Sequence, residues 1–208
     1  MLIVSFINKK PMKRVFMVMG VGVAVAVVSL GISVAVQAHQ DKVEAARVAR
    51  QEAAERAKQK AKNKKFNAAY SVFIAGAYSC ASGAEDLGKK VQSTWSDAIF
   101  EDNGATVAGK QYTDFNDAVD ALISSEKTLT TKISNGKGTM TGSLNIMSDN
   151  ATIDTKAKLE KAAKIADKVD KFSSMATSPT GSYQTYGAEL SKLDSDTADL
   201  ISDGFDLE

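Results

Sequence analysis

An uncharged apolar run near the N-terminus constrains this chain more than any other feature. Residues 15–36 carry no charge, and their most polar side chains are Ser29 and Ser33. At about 1.5 Å per residue, a helix of this length spans about 33 Å, which is enough to cross the hydrocarbon core of a bilayer. The sequence therefore predicts a transmembrane helix over residues 15–37.

The apolar run has two interpretations. As a signal anchor it stays in the mature protein, whereas as a signal peptide it would be removed after Ala38, a small residue suited to cleavage. The apolar region of a removed signal has about 7–15 residues, so the greater length here favours the anchor. The secreted, cleaved form is the alternative, and both Met1 and Met12 are candidate starts.

Basic residues next to the run bear on its orientation. Four of them precede it within residues 1–14, which favours a cytoplasmic N-terminus. Others follow soon after, beginning with Lys42, so the charge difference across the run is small. Residues 1–14 are too few for a folded domain, however, and the remainder of the chain is what an export signal would serve. We expect a single-pass protein of the cell membrane with residues from about 39 onward outside the cytoplasm.

Charge is strongly segregated along the rest of the chain. Residues 41–65 carry nine Lys or Arg against four Asp or Glu, whereas residues 66–208 carry 13 against 21. We call residues 38–65 the stem and residues 66–208 the head. A basic stem beside a membrane would attract lipid headgroups or an anionic wall polymer, and the plainer interpretation is a solvated helix. Nucleic acid is not an expected partner, because the head is acidic and the stem lacks interleaved aromatic residues.

Helical periodicity runs through both segments. The stem lacks Gly and Pro and is rich in Ala, Glu, Lys and Arg, which favours helix. From Phe66 apolar residues recur at alternating spacings of three and four, the pattern of a sustained helical seam. Its members are Phe66, Tyr70, Phe73, Ala77, Cys80, Ala84, Leu87 and Val91, widened by Ile74, Trp95, Ala98 and Ile99. Packing is therefore predicted to start at Phe66.

Breaks in periodicity divide the remainder of the head. Residues 101–110 read as a loop, and Asp114 is the predicted N-cap of a second helix that ends at residues 135–138, Asn-Gly-Lys-Gly. A third helix is predicted from about Thr152 and a fourth from about Ser182, after the stop at residues 178–182. Short connections favour antiparallel neighbours. The predicted fold is all-α: a transmembrane helix, a basic stem helix and an antiparallel bundle of three or four helices.

Three glycines lie within the first seam helix, at Gly76, Gly83 and Gly88. Each costs about 1 kcal/mol of helix stability relative to Ala. Close approach of a neighbouring helix would explain them, and a ligand groove is the alternative.

Few residues offer catalytic or metal-binding chemistry. The one histidine, His39, lies at the predicted membrane boundary, and Cys80 is the one cysteine. These counts exclude a Ser-His-Asp or Cys-His nucleophilic site, a His-based zinc motif and an intramolecular disulfide. Cys80 is therefore interpreted as a small core residue. We expect no catalytic, cofactor-binding or metal-binding residues and no cofactor.

Two carboxylate sets and one aromatic set are the other candidates. The carboxylate sets are Asp114, Asn116, Asp117 and Asp120, and Asp194, Asp196 and Asp199. Neither has the turning Gly and terminal Glu of a calcium loop, so both are interpreted as solvated helix faces. Trp95, Tyr112, Tyr183 and Tyr186 would form either an aromatic binding surface or, as we expect, core packing with their polar tips outward.

Three segments resemble a known group of proteins: residues 83–99, 114–119 and 178–186, which begin Gly-Ala-Glu-Asp-Leu, Asp-Phe-Asn-Asp-Ala and Ser-Pro-Thr-Gly-Ser. They resemble small single-span, membrane-anchored helical proteins of Gram-positive bacteria and their phages. The resemblance covers residues 65–205, and the stem here is longer than in that group. It implies a helical domain outside the membrane, and it transfers no activity and no site residue.

Together these features favour a non-enzymatic, membrane-tethered helical binding module with an unidentified protein partner. A more specific form of this hypothesis is phage superinfection exclusion, which is implied by the resemblance alone. A hydrolase that acts on the cell wall through paired carboxylates is the alternative from a different class.

Overall fold

The computed structural model describes residues 30–205, with side chains from His39 onward. Its elements are α1 (Leu30–Phe100), β1 (Ala105–Val107), β2 (Lys110–Tyr112), α2 (Phe115–Ser125), α3 (Lys127–Asp149), α4 (Lys156–Thr177) and α5 (Tyr183–Phe205). Contacts divide the chain into residues 1–51 and residues 52–208. In the first unit the side chains of residues 39–51 are all exposed. The buried side chains of the described chain begin at Phe66, in the second unit.

The predicted transmembrane helix falls largely outside the described residues, since residues 15–29 precede them. Within residues 30–205, none of the helices has both the length and the apolar character needed to span a bilayer.

The seam prediction for α1 is confirmed. All eight residues of the seam, from Phe66 to Val91, are buried, as are Ile74 and Trp95. Ile99 is an exception, because it is 45% exposed near the end of α1. In the stem, Glu52 and Arg56 form an ion pair one helical turn apart, at 3.4 Å. Asn63 is half-buried, and its Oδ1 accepts a hydrogen bond of 2.6 Å from the Thr152 hydroxyl.

The head is an all-α bundle, as predicted, in which each neighbouring pair of long helices runs antiparallel. On α1, Gly76 faces the backbone of Met140 whereas Gly83 faces Ile133, so α1 and α3 run in opposite directions. The same reversal relates α1 to α5 and α4 to α5, and α4 also packs on α3. For α1 and α5, the reversal is shown by Gly88 facing Leu190 and Gly204 facing Ile74. For α4 and α5, it is shown by the ion pairs Lys161–Asp203 and Lys168–Asp196. These contacts join α1, α3, α4 and α5 in an up-and-down ring.

The predicted end of the second helix at residues 135–138 is wrong. The chain breaks earlier, at Glu126, whose ψ of 50° is not helical, and α3 then continues through Gly136 to Asp149. A Cβ atom on Gly136 would lie 2.6 Å from the Cys80 backbone nitrogen. Gly136 therefore marks the closest crossing of α1 and α3 rather than a helix stop, which supports the helix-approach interpretation of the seam glycines.

The predicted loop at residues 101–110 includes the first strand and the turn of a β-hairpin whose second strand continues to Tyr112. Val107 pairs with Lys110 across a two-residue turn, and both turn residues have positive φ, 50° at Ala108 and 82° at Gly109. Positive φ at both positions gives the twist that hairpin strands require. The hairpin leads into α2, where the predicted cap is confirmed: the Asp114 carboxylate accepts hydrogen bonds from the Asn116 and Asp117 backbone nitrogens.

The start of α5 also agrees with the prediction. The Ser182 hydroxyl accepts a hydrogen bond of 3.2 Å from the Thr185 backbone nitrogen, and the Thr185 hydroxyl accepts one of 3.0 Å from the Ser182 nitrogen. This reciprocal cap satisfies two amide groups that the first turn of a helix leaves unpaired. It fixes where α5 begins and therefore which α5 residues face α1.

Candidate binding groove

In each carboxylate set singled out in the sequence, structural contacts hold one of the carboxylates. Asp114 is occupied as the N-cap of α2. The Asp196 carboxylate lies 2.9 Å from the Lys168 ammonium and 3.7 Å from that of Lys192, and the hydrogen bond from Lys168 lowers the pKa of Asp196. No group of three or more metal-ligating side chains comes together within residues 30–205.

Three of the four aromatic residues contact other rings, and Trp95, Tyr186 and Phe115 form an aromatic cluster. The Trp95 ring is stacked on Phe115, with centroids 5.7 Å apart, and tilted against Tyr186 at 5.6 Å. Tyr183 meets Phe100 edge-on at 5.8 Å. The expected outward polar tip is wrong for Tyr186, since its hydroxyl is buried and has no hydrogen-bond partner within the described chain. Burial raises the pKa of Tyr186 to about 12.

Cys80 is a core residue, as predicted. Its side chain is fully buried, and burial raises the pKa of the thiol, with a smaller opposing effect from a hydrogen bond to Ser173. Because the thiolate is the reactive form, the Cys80 thiol is poorly suited to nucleophilic or redox chemistry.

The most distinctive recess of the head, which sequence reasoning did not identify, lies between α1 and α5. We call it the α1–α5 groove; its volume is about 270 Å³. The small side chains of Ala81 and Ala198 leave space between the helices, so the groove reaches down to Phe172 on α4. Its lining residues are Tyr78, Ala81, Ser82, Phe172, Asp194, Thr197, Ala198, Ile201, Ser202 and Phe205.

Two exposed aromatic rings lie at one end of the α1–α5 groove. Tyr78 is 61% exposed and Phe205 is 49% exposed. Because α1 and α5 are antiparallel, Tyr78 lies toward the Phe205 end and away from Asp194. Aromatic surface that stays in water while lining a recess is available to cover an apolar ligand.

The opposite end of the α1–α5 groove is acidic. Burial and the neighbouring Glu85 carboxylate raise the pKa of Asp194, with a smaller opposing effect from the Lys89 ammonium group. Among the described residues Asp194 has no ion-pair partner, whereas Glu85 is paired with Lys89. A second hollow of about 70 Å³ adjoins this end and shares Phe172 and Asp194 with the groove.

A buried hydroxyl also belongs to the α1–α5 groove. Thr197 is 1% exposed, and its Oγ1 has no hydrogen-bond partner within residues 39–205. A buried hydroxyl without a partner costs about 1–3 kcal/mol, and most native structures avoid it. A polar ligand atom at this position would remove that cost.

Two other recesses are less suited to a ligand. One, of about 290 Å³, lies beside the aromatic cluster and is lined by Trp95, Phe115 and residues 177–180 among others. The other, of about 420 Å³, is a shallow depression over the small residues at the α1–α3 crossing, including Gly76 and Gly136.

Comparison with known proteins returned no family model, no curated protein and no solved structure similar to this chain.

Proposed function

We propose that this chain is a non-enzymatic, membrane-tethered helical module whose head binds a partner outside the cytoplasm. The observation that carries the binding part is the α1–α5 groove, which has apolar walls, two exposed aromatic rings and a carboxylate without an ion-pair partner among the described residues. Its lining contains no histidine, cysteine or lysine. A recess that is mostly apolar with a few polar groups is typical of a binding site.

The tether and the location rest on the sequence. The apolar run at residues 15–36 supports a retained anchor, and the four basic residues just before it favour a cytoplasmic position for that end of the run, with the head on the other side of the membrane. Protease added to intact, wall-stripped cells should then degrade the head. Full protection of the head, with the protein still in the membrane fraction, would contradict the proposed orientation. Recovery of the head in the culture medium would instead support cleavage near Ala38.

The stem is proposed to contribute by charge. Its exposed Lys and Arg side chains would attract anionic lipid headgroups or wall polymer next to the membrane. Raising the salt concentration should weaken binding of the full chain to purified walls or anionic vesicles if this attraction contributes.

One observation favours the alternative of a hydrolase. Asp194 and Glu85 are neighbouring carboxylates, and the charge of Glu85 helps to raise the pKa of Asp194, as in acid–base pairs of glycosidases. However, the hollow beside them holds only about two water-sized volumes at roughly 30 Å³ each, which is too small for a sugar ring. Zymography on purified walls separates the two functions: a clearing band that Asp194→Asn abolishes would overturn the binding proposal.

Superinfection exclusion is the narrower proposal, and it is supported by the resemblance to anchored proteins of bacteria and phages. Expressing the chain in a sensitive host should reduce plaque counts of at least one phage. Unchanged plating across a broad phage panel would contradict it.

A further inference from the structure

We propose that the α1–α5 groove binds an amphipathic organic cation, with its apolar body along Tyr78, Phe172 and Phe205 and its ammonium group beside Asp194 and Thr197. This inference rests on the proposed binding function and names the class of ligand for its groove.

The two ends of the α1–α5 groove differ in chemistry along one axis. Asp194 and Phe205 are separated by eleven positions on α5, or about 16 Å of helix. The aromatic end carries exposed rings of Tyr78 and Phe205, and between the ends the walls are Ala81, Ala198 and Ile201. A ligand that spans the groove therefore needs an apolar body and one polar end.

The polar end of the ligand should be positively charged. Asp194 makes no ion pair within the described chain. Lys89 lines the adjoining hollow with Asp194 and partly offsets its charge, but the ion pairs of Lys89 and Lys132 are with other carboxylates. Lys89 pairs with Glu85, and Lys132 lies 3.6 Å from Asp86 and donates to Ser82. An added ammonium group would offset the repulsion between the Asp194 and Glu85 carboxylates.

Thr197 supplies a second, independent indication of a ligand. Its side chain is almost completely buried, lines the groove and has an unpartnered Oγ1 within the described part of the head. A hydroxyl can accept a hydrogen bond, and an ammonium group offers only donors. The carboxylate of Asp194 lies one helical turn before it on α5, so both groups lie on the same side of this helix.

The volume of the groove limits the ligand. At roughly 30 Å³ for each water-sized group, about 270 Å³ holds about nine heavy atoms. A medium-chain alkylammonium ion has this size, and octylammonium is a suitable probe. Octanoate and 1-octanol keep the apolar body and change only the charge of the polar end.

Fluorine NMR of the full chain in lipid nanodiscs would test the proposal. With 3-fluorotyrosine labelling, Tyr78 reports on the groove, and Tyr78→Phe assigns its signal among the five tyrosines. Octylammonium should shift the Tyr78 signal saturably, and octanoate should not. Equal affinity for 1-octanol would overturn the cationic assignment, and no saturable shift with any probe would overturn the site.

Matched variants distinguish binding in the groove from a general effect of removing a negative charge. Asp194→Asn should weaken octylammonium binding about tenfold, whereas Asp199→Asn, on the exposed side of the same helix, should leave it unchanged. Ala198→Leu should fill the groove and abolish binding, and Ala188→Leu, which is exposed on α5, should not. Equal weakening by Asp194→Asn and Asp199→Asn would overturn the site. Failure of the probe to bind leaves the protease and plaque results unaffected, so the two proposals fail separately.

Discussion

Alanine at Gly136 and alanine at Gly138 should change the stability of the head in opposite directions. Both residues lie inside α3, two positions apart. A Cβ on Gly136 would lie 2.6 Å from the Cys80 nitrogen and 2.9 Å from its Cα, whereas a Cβ on Gly138 would meet nothing within 4 Å. The pair therefore isolates the effect of the α1–α3 crossing.

The magnitudes follow from two opposing terms. Replacing Gly by Ala within a helix gains about 1 kcal/mol, part of it by restricting the unfolded chain. At Gly138 this gain acts alone, so the free energy of unfolding should rise by about 1 kcal/mol. At Gly136 the new methyl group must push the α1 backbone away by close to 1 Å, and overpacking of this kind costs about 1–3 kcal/mol or more. Because the clash is with backbone atoms, we expect a cost in the upper part of this range, about 2–3 kcal/mol, and therefore a net loss of about 1–2 kcal/mol for Gly136→Ala.

Urea unfolding of the full chain, followed by Trp95 fluorescence, would measure both changes. Trp95 is the only tryptophan and is stacked on Phe115 inside the head, so its signal reports on this unit. With a urea slope of about 1–3 kcal/mol per molar, each kilocalorie moves the midpoint by about 0.3–1 M. If Gly136→Ala stabilises the head as much as Gly138→Ala, α1 and α3 do not cross closely at this point.

Further predictions concern the core and one helix cap. Tyr186→Phe removes a buried hydroxyl without a partner in the described chain and should keep or raise stability by up to about 1 kcal/mol; a clear loss would reveal a partner for the phenol. Since the unfolded phenol ionises near pH 10 and burial raises the pKa of Tyr186 to about 12, stability should fall from pH 10 to 12 in the native chain and less in Tyr186→Phe, as measured by urea midpoints at each pH. Ala77→Leu in the core should lower the melting temperature by overpacking, at about 1–3 kcal/mol, whereas Ala53→Leu in the exposed stem should change it little; equal loss would mean that the stem packs against another copy. Asp114→Ala should cost about 1 kcal/mol in the same unfolding assay, and no change would show that the cap is dispensable.

The helical faces were predictable because periodicity is a local property of the sequence. Spacings of three and four between Phe66 and Val91 determine which side of α1 is apolar, and that side is buried. The role of Gly136 was predicted wrongly because it depends on a partner helix. In a solvated segment a glycine favours the end of a helix, whereas here the absence of a side chain lets α3 approach Cys80 on α1. The hairpin was missed because three-residue strands are too short to show alternation and Ala108-Gly109 is a weak turn signal.

The α1–α5 groove was not predictable, because its walls come from distant parts of the chain. Ala81 and Ala198 are unremarkable alone and create space only where α1 and α5 meet. Tyr78 and Phe205 lie outside the apolar stripes, and nothing local distinguishes them from scattered surface aromatics. Asp194 was noted as part of a solvated face, and its neighbour Glu85 became visible only in the folded head.

The ring of four helices has a consequence for the order of synthesis. α1 leaves the ribosome first, but one of its two antiparallel neighbours, α5, is made last, after about 80 further residues. At about 5–20 residues per second, the apolar face of α1 waits roughly 4–16 s for that cover. During this interval the helices already made form an open layer that exposes apolar surface, and α5 completes the ring once it is made.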